Sequence, residues 1–343
     1  MVTLSVLDQS PVRQGVTPRD ALLETIELAR HCEALGYRRY WLAEHHATPA
    51  LAGSAPEIMI ARVAAETRRI RVGSGGVMLS HYSSLKVAEQ FRLLETLYPG
   101  RIDLGIGRAP GSDQLTAAAL AHGPGALGIE HFPNQIADVI GYLEHTIPAE
   151  HPFSRIRLMP DGETLPDIWI LGSSDQSAIF AAYFGRAFSF AHFITDEGGP
   201  QIMDAYRAQF RPSSALAAPQ ASIGVFVICA ESNKRAQYLA ASRDLSRLRQ
   251  RQGRPMPFPP PEEALAYPYT EIERRVIEHH RRRQVVGDPE TVKAELEALA
   301  ARYGVDEIVV LTITHDFAAR KRSYALLAEA FGLSEETVNP APS

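Results

Sequence analysis

A chain of 343 residues, 45% of them hydrophobic, can bury a full core and suits either two domains or one large α/β barrel. A net charge of -5 and a pI near 6.2 give no electrostatic reason to bind nucleic acid or an anionic membrane, so small molecules are the expected partners. Two cysteines, Cys32 in a helical pattern and Cys229 in an apolar run, are too few for a disulfide framework or a thiolate metal centre and read as core residues.

The first residues run straight into a strand pattern without a charged leader, and no apolar run reaches the ~18 residues of a membrane span, so a cytoplasmic protein is expected. Strands are predicted at 2–8, 39–43, 70–78, 101–106, 167–172, 186–191, 222–229 and 306–313. Helices are predicted near 18–35, 55–68, 84–97, 130–146, 174–184, 197–210, 232–250, 289–303 and 316–331. Thr17-Pro18 and Asp288-Pro289 each give an N-cap followed by proline at the first helical position, and Gly36 and Gly304 close the same helices.

The alternation of strand and helix implies parallel neighbours, and eight such units make a closed (β/α)8 TIM barrel. A doubly wound sheet is the runner-up. Its dinucleotide fingerprint is missing, because strand one is followed by Gln9-Ser10-Pro11-Val12 and not by a Gly-x-Gly-x-x-Gly turn. The whole chain, 1–343, reads as one such domain, with loop insertions at 107–130 and 251–288 near the active site; the second is Pro-rich and carries Met256 and Phe258, which suggests a partly apolar pocket.

Barrel active sites gather at the carboxyl ends of the strands. Those ends carry Asp8, then Glu44-His45-His46, Gly75-Gly76 with Ser80 and His81, Gly107-Arg108, Gly172-Ser173-Ser174 with Ser177, and His192. Gly172-Ser173-Ser174 ends a strand and opens a helix, so free backbone N–H groups and hydroxyls can receive a phosphate, with Arg108 closing the site. The alternative is an ordinary helix cap. Gly75-Gly76 exposes bare backbone to which a planar ring can approach closely. His45 has the intrinsic pKa to move a proton near neutrality, and Glu44 would orient the imidazole pair. His46 reads more simply as a packing or capping residue. Asp8 is either a ring-nitrogen partner or a turn acceptor; His81, His122 and His131 are candidate pocket residues without a role. A metal centre is not expected, since adjacent histidines in an extended segment point to opposite faces. The arginines at 243, 247, 249, 251 and 281–283 read as solvated helix faces.

The Glu44-His45-His46 motif, the run 72–80, the Leu104-to-Asp113 run with its Gly107-Arg108-Ala109-Pro110-Gly111 signature, and Trp169-Ile170-Leu171-Gly172-Ser173-Ser174 together resemble the bacterial luciferase-like flavin-dependent monooxygenases, in their non-luminous subgroup. The resemblance spans essentially the whole chain. It implies a TIM barrel that uses reduced FMN (FMNH2), usually supplied by a separate NAD(P)H:flavin reductase, and O2 to oxygenate a small organic substrate through a flavin C4a-hydroperoxide. It also implies a catalytic His45 and a phosphate site of Arg108, Gly172, Ser173, Ser174 and Ser177. Gly75-Gly76 takes the place of a non-prolyl cis peptide beside the flavin ring, and His192 would stand over the ring's far side. A homodimer is common among such proteins. Gly107 stands where luminous members have a reactive cysteine, which argues against light emission. Two rivals share the scaffold: an F420-dependent dehydrogenase and a flavin-binding protein without turnover.

Overall fold

The computed structural model describes residues 2–108, 113–121 and 128–334. Its strands are β1 (Thr3–Asp8), β2 (Arg39–Leu42), β3 (Arg71–Ser74), β4 (Val77–Met78), β5 (Ile102–Gly107), β6 (Asp167–Gly172), β7 (Ala187–Phe190), β8 (Ala221–Cys229), β9 (Gln284–Gly287) and β10 (Glu307–Leu311). All pairings among them are parallel, and β10 bonds both β1 and β8, which closes a (β/α)8 TIM barrel. The helices are α1 (Pro18–Ala34), α2 (Pro56–Glu66), α3 (Ser84–Leu97), α4 (Gln114–Leu120), α5 (Phe132–Glu144), α6 (Asp175–Tyr183), α7 (Gly199–Gln209), α8 (Asn233–Arg251), α9 (Pro261–Ala266), α10 (Glu271–Arg281), α11 (Pro289–Tyr303) and α12 (Phe317–Phe331). No helix among the described residues is long and apolar enough to cross a membrane.

Two departures from the expected eight strands matter. The strand expected at 70–78 breaks into β3 and β4, because Gly75-Gly76 forms a cis peptide that turns the backbone out of the ladder. The segment 251–288, expected as a loop, instead carries α9, α10 and β9. Thr270 and Glu273 form the capping box that starts α10, and β9 pairs with the upper half of β8 beyond the point where β7 leaves it.

Side chains alternate along each stave between the lumen and the helical shell. On β2, Tyr40 and Leu42 join the outer core while Arg39 and Trp41 face inward; on β8, Val225 and Val227 go out and Phe226 and Ile228 go in. The bottom of the lumen is charged. Arg39 donates from Nε to Glu307 and from Nη1 to Asp103, both at 2.9 Å, and Arg71 Nε reaches Asp103 at 2.8 Å. Although burial opposes its charge, Asp103 is held below the usual carboxylate range by Arg39 and Arg71. Above this layer Trp41 and Trp169 meet edge to face, with centroids 5.2 Å apart. The Trp41 indole N–H donates to Asp103 at 2.8 Å.

Asp8 belongs to this buried framework and not to a pocket. It is fully buried, accepts from Arg320 at 2.8 Å, from the Ser10 N–H at 2.8 Å and from the Tyr40 hydroxyl, and its charge is kept, against burial, chiefly by Arg320. The ring-partner expectation for Asp8 is therefore replaced by a structural ion pair, while its alternative as a turn acceptor is met by the Ser10 N–H. Both cysteines are buried and unpaired.

Candidate active site

The carboxyl ends of the staves surround a cavity of about 380 Å³, within the size range of small-molecule sites. Its floor is Leu7, Trp41 and Val309. One wall is bare backbone from Gly75, Gly76 and Gly107. A Cβ on Gly76 would stand 2.7 Å from the Gly105 carbonyl, so packing against the neighbouring stave already requires glycine there, whereas one on Gly75 would meet the end of the Leu7 side chain on the cavity floor at 2.5 Å. The adjoining wall, on the next stave, is Arg108 with Gly172, Ser173, Ser174 and Ser177.

That second wall is the start of α6. Ser174 occupies the N-cap position with extended backbone but makes no side-chain cap bond, so the hydroxyl that would normally satisfy the first turn is spare. Ser177 lies 3.4 Å from Ser174, oxygen to oxygen, and Arg108 is held over the same turn by Gln176. The sequence therefore brings together four polar groups predicted as a phosphate site, and Gln176 joins them as a positioning residue that its sequence context did not distinguish. The rest of the signature, 109–112, lies outside the described residues, as does His122.

Glu44 stands one layer behind this cavity. Fully buried, it accepts hydrogen bonds from the Met78 N–H at 2.9 Å, the Tyr82 hydroxyl at 2.7 Å and His46 Nε2 at 2.7 Å. Met78 lines the cavity, so the carboxylate fixes the backbone that follows Gly75-Gly76. It orients His46 and not His45, as the opposite faces of an extended segment require. Tyr82 was missed in the sequence; its signal is only its place after His81, whose ring packs edge-on against both Tyr82 and His46. Glu44, His45, His46 and His81 are not among the residues lining the cavity. His45 donates its backbone N–H to the Gly53 carbonyl, while its side-chain Nδ1 is buried without a partner. Burial, and then neighbouring His46, push its pKa down to about 4. The expectation of an imidazole poised near neutrality is corrected: His45 is neutral at pH 7.

His192 is also displaced from its expected place. It is buried, with Nδ1 2.8 Å from the Tyr303 hydroxyl, and its neighbours Ala191 and Phe193 line the cavity instead. In the turn two residues past the end of β7 it packs against Tyr303, where burial first and Arg302 second lower its pKa to about 4. His131, half-exposed, lies 3.7 Å from Glu130. Phe258 packs into the upper lumen cluster while Met256 remains 43% exposed.

Arg251 and Arg282 are solvent-exposed, as expected, but the other arginines of this group are not a solvated face. Arg249 pairs with Glu263 and Arg281 with Asp244, while Arg243 and Arg283 are buried because α9, α10 and β9 cover this side of α8. The Arg243 guanidinium lies 3.6 Å from the centroid of Phe226 in the lumen. Arg283 donates to the carbonyl of Ile194, a cavity residue, and to His280 Nδ1 at 2.5 Å.

The family model described as luciferase-like monooxygenase matches residues 1–307. This chain belongs to the luciferase-like monooxygenase family. It is accordingly an oxidoreductase of the monooxygenase type. It is 47% identical over 332 residues to the uncharacterized protein YwcH of Bacillus subtilis (strain 168), covering 96% of this chain and 99% of that one. It is 37% identical over 332 residues to the N-acetyl-S-alkylcysteine monooxygenase of the same organism, with coverage of 96% and 98%. The solved structure of apo-MsnO8 superposes with a TM-score of 0.89 at 42% identity, covering 97% and 99%. Two further structures share the fold alone: the oxygenating constituent of 3,6-diketocamphane monooxygenase from Pseudomonas putida in complex with FMN (TM-score 0.68, 19% identity, coverage 100% and 100%) and an F420-dependent secondary alcohol dehydrogenase (0.68, 14%, 96% and 98%).

Proposed function

We propose that this chain binds reduced FMN, delivered by a separate NAD(P)H:flavin reductase, and uses O2 to insert one oxygen atom into a small organic substrate. The observation that carries this reading is the uncapped start of α6, where Ser173, Ser174, Ser177 and Arg108 line a cavity whose adjoining wall is bare glycine backbone. The polar turn suits a phosphate, with the helix amides and Arg108 sharing its charge. The Gly75-Gly76 and Gly107 backbone admits the flat ring, and the indole of Trp41 forms an apolar floor that limits water. When bound, the reduced flavin would supply the two electrons with which O2 is activated.

Glu44 fixes Met78, which lines the cavity, and ties Tyr82 and His46 together behind it. His45, neutral at physiological pH, lies behind the cavity lining with its Nδ1 buried and unpartnered; the proton-moving role assigned to it rests on the family resemblance and requires that the bound substrate reach this nitrogen. The thioether-bearing N-acetyl amino acids named for one relative are the substrates to screen first.

The test is an anaerobic titration with photoreduced FMN, followed by rapid mixing with oxygenated buffer. Wild type should bind the flavin and reoxidise it more slowly than free FMNH2. Arg108→Met with Ser174→Ala should weaken affinity by roughly 10- to 100-fold, the worth of a charge-assisted contact. His45→Ala should abolish turnover and leave flavin affinity nearly intact. Reoxidation as fast as in free solution would mean a flavin carrier without turnover. The arginines around Arg243 are the one feature favouring F420, whose tail is anionic; tighter binding of F420 than of FMN would decide for it.

A further inference from the structure

Buried guanidinium groups almost always meet a carboxylate or a full set of acceptors, because an uncompensated charge is costly to remove from water. Around the top of β8 this expectation fails. Arg243 is only 7% exposed, stacks on Phe226, and has no hydrogen-bond or ion-pair partner among the described residues. Arg283, 9% exposed, has its Nε unpartnered and spends its other nitrogens on the Ile194 carbonyl and on neutral His280. Arg247, half-buried beside them, reaches only the side-chain oxygen of Gln250 at 3.1 Å. The one carboxylate in the group, Asp244, is taken by Arg281 at 2.8 Å from Nε. The crowding registers in Arg243 itself: burial, and then Arg247, bring its pKa down to about 9.

The place of the cluster gives it meaning. Phe226 follows Gly224 by two residues on the lumen face of β8, and both Gly224 and Ile194 line the cavity described above. The arginines do not line that cavity but stand just behind its β7–β8 side, where Arg283 holds the Ile194 carbonyl and Arg243 stacks on Phe226, away from Arg108 and the start of α6. We propose that Arg243, Arg247 and Arg283 form a second anion-binding subsite, which receives a carboxylate, sulfonate or phosphate carried by the small organic substrate. Two guanidinium forks and a third cation supply both the charge and the paired donors that such a group takes. His280 serves it indirectly: as a neutral acceptor it fixes one edge of Arg283 and leaves Nε free. This inference rests on the monooxygenase reading only for the name of its occupant; the anion site stands on the arginines alone.

Sulfate is the probe. Thermal unfolding of the full chain is followed against sulfate concentration, with ionic strength held constant, both alone and saturated with FMN, for wild type, Arg243→Met and Arg243→Lys. In the presence of FMN, wild type should still be stabilised by sulfate. Arg243→Met should bind sulfate at least ~10-fold more weakly, and Arg243→Lys should retain part of the affinity. Without sulfate, Arg243→Met should melt at or above wild type, because it removes an unpaired buried charge; a merely structural arginine would give the opposite. No sulfate effect in wild type, or an effect unchanged in Arg243→Met, overturns the proposal. So does a sulfate effect abolished by FMN or displaced by F420, which would assign the arginines to the cofactor. Failure of FMN to bind, with Arg243-dependent sulfate stabilisation intact, sinks the flavin reading and leaves the anion site standing.

Discussion

Replacing Glu44 in two ways separates its charge from its geometry. Alanine leaves the Met78 N–H, the Tyr82 hydroxyl and His46 Nε2 without their shared acceptor, at about 1–3 kcal/mol for each buried donor. Tyr82 and His46 are only half-buried and recover part of this from water, so Glu44→Ala should cost about 3–5 kcal/mol. Glutamine can keep its oxygen on the Met78 N–H and turn its NH2 toward the Tyr82 oxygen and His46 Nε2, both of which accept hydrogen bonds when neutral. Glu44→Gln should therefore cost only about 1 kcal/mol. Urea unfolding of both variants and of wild type measures the difference, and reduced-FMN titration reports whether the wall built on Met78 has moved. Equal destabilisation by Gln and Ala would refute the reasoning, since it would mean that the carboxylate's charge, and not the pattern of donors facing it, holds the wall.

Asp8→Asn strips Arg320 of its buried counter-ion and should cost about 3–5 kcal/mol while changing FMN affinity by less than about twofold; a large loss of flavin binding in a folded variant would restore Asp8 to the site. Gly105→Ala places a Cβ 2.1 Å from the Ser74 carbonyl, so the adjacent staves β3 and β5, which carry the glycine wall, must part; a loss of roughly 1–3 kcal/mol together with weaker flavin binding is expected, and wild-type behaviour would show that the barrel gives way there more easily than its packing suggests. The pKa of His192 is lowered to about 4, so the unfolded chain binds a proton that the folded one refuses. Its contribution to stability is present above the unfolded pKa of ~6.5 and is lost as pH falls through 4, with a slope of up to ~1.4 kcal/mol per pH unit. His192→Gln should flatten urea-unfolding free energies measured across that window, and an unchanged slope would contradict the burial argument.

The barrel was legible because each βα unit repeats the same local grammar: a β-rich run, a cap, an amphipathic helix. The phosphate wall was legible for the same reason, since Gly172-Ser173-Ser174 sits where a strand must become a helix. What escaped depends on partners distant in sequence. Nothing near Asp8 announces Arg320, 312 residues away, and a strand-end carboxylate looks identical whether it meets a ligand or an ion pair. Arg243 and Arg283 sit in charge-rich stretches that local reading takes for solvent faces; only the placement of α9, α10 and β9 buries them. The capping box at Thr270 and Glu273 was a usable signal for α10, hidden by the prolines that precede it.

The Trp41 indole has two jobs that cannot be separated. Its ring is the floor of the cavity, and its N–H is tied to the same Asp103 that binds Arg39 and Arg71. The cavity's depth is thus set by the buried charge layer at the bottom of the lumen, so no small change in apolar packing can lengthen it. Relatives that keep this floor are free to differ only around the rim, and a change in what the barrel accepts must be written in the segments above the staves, where length and sequence vary at little cost to the whole.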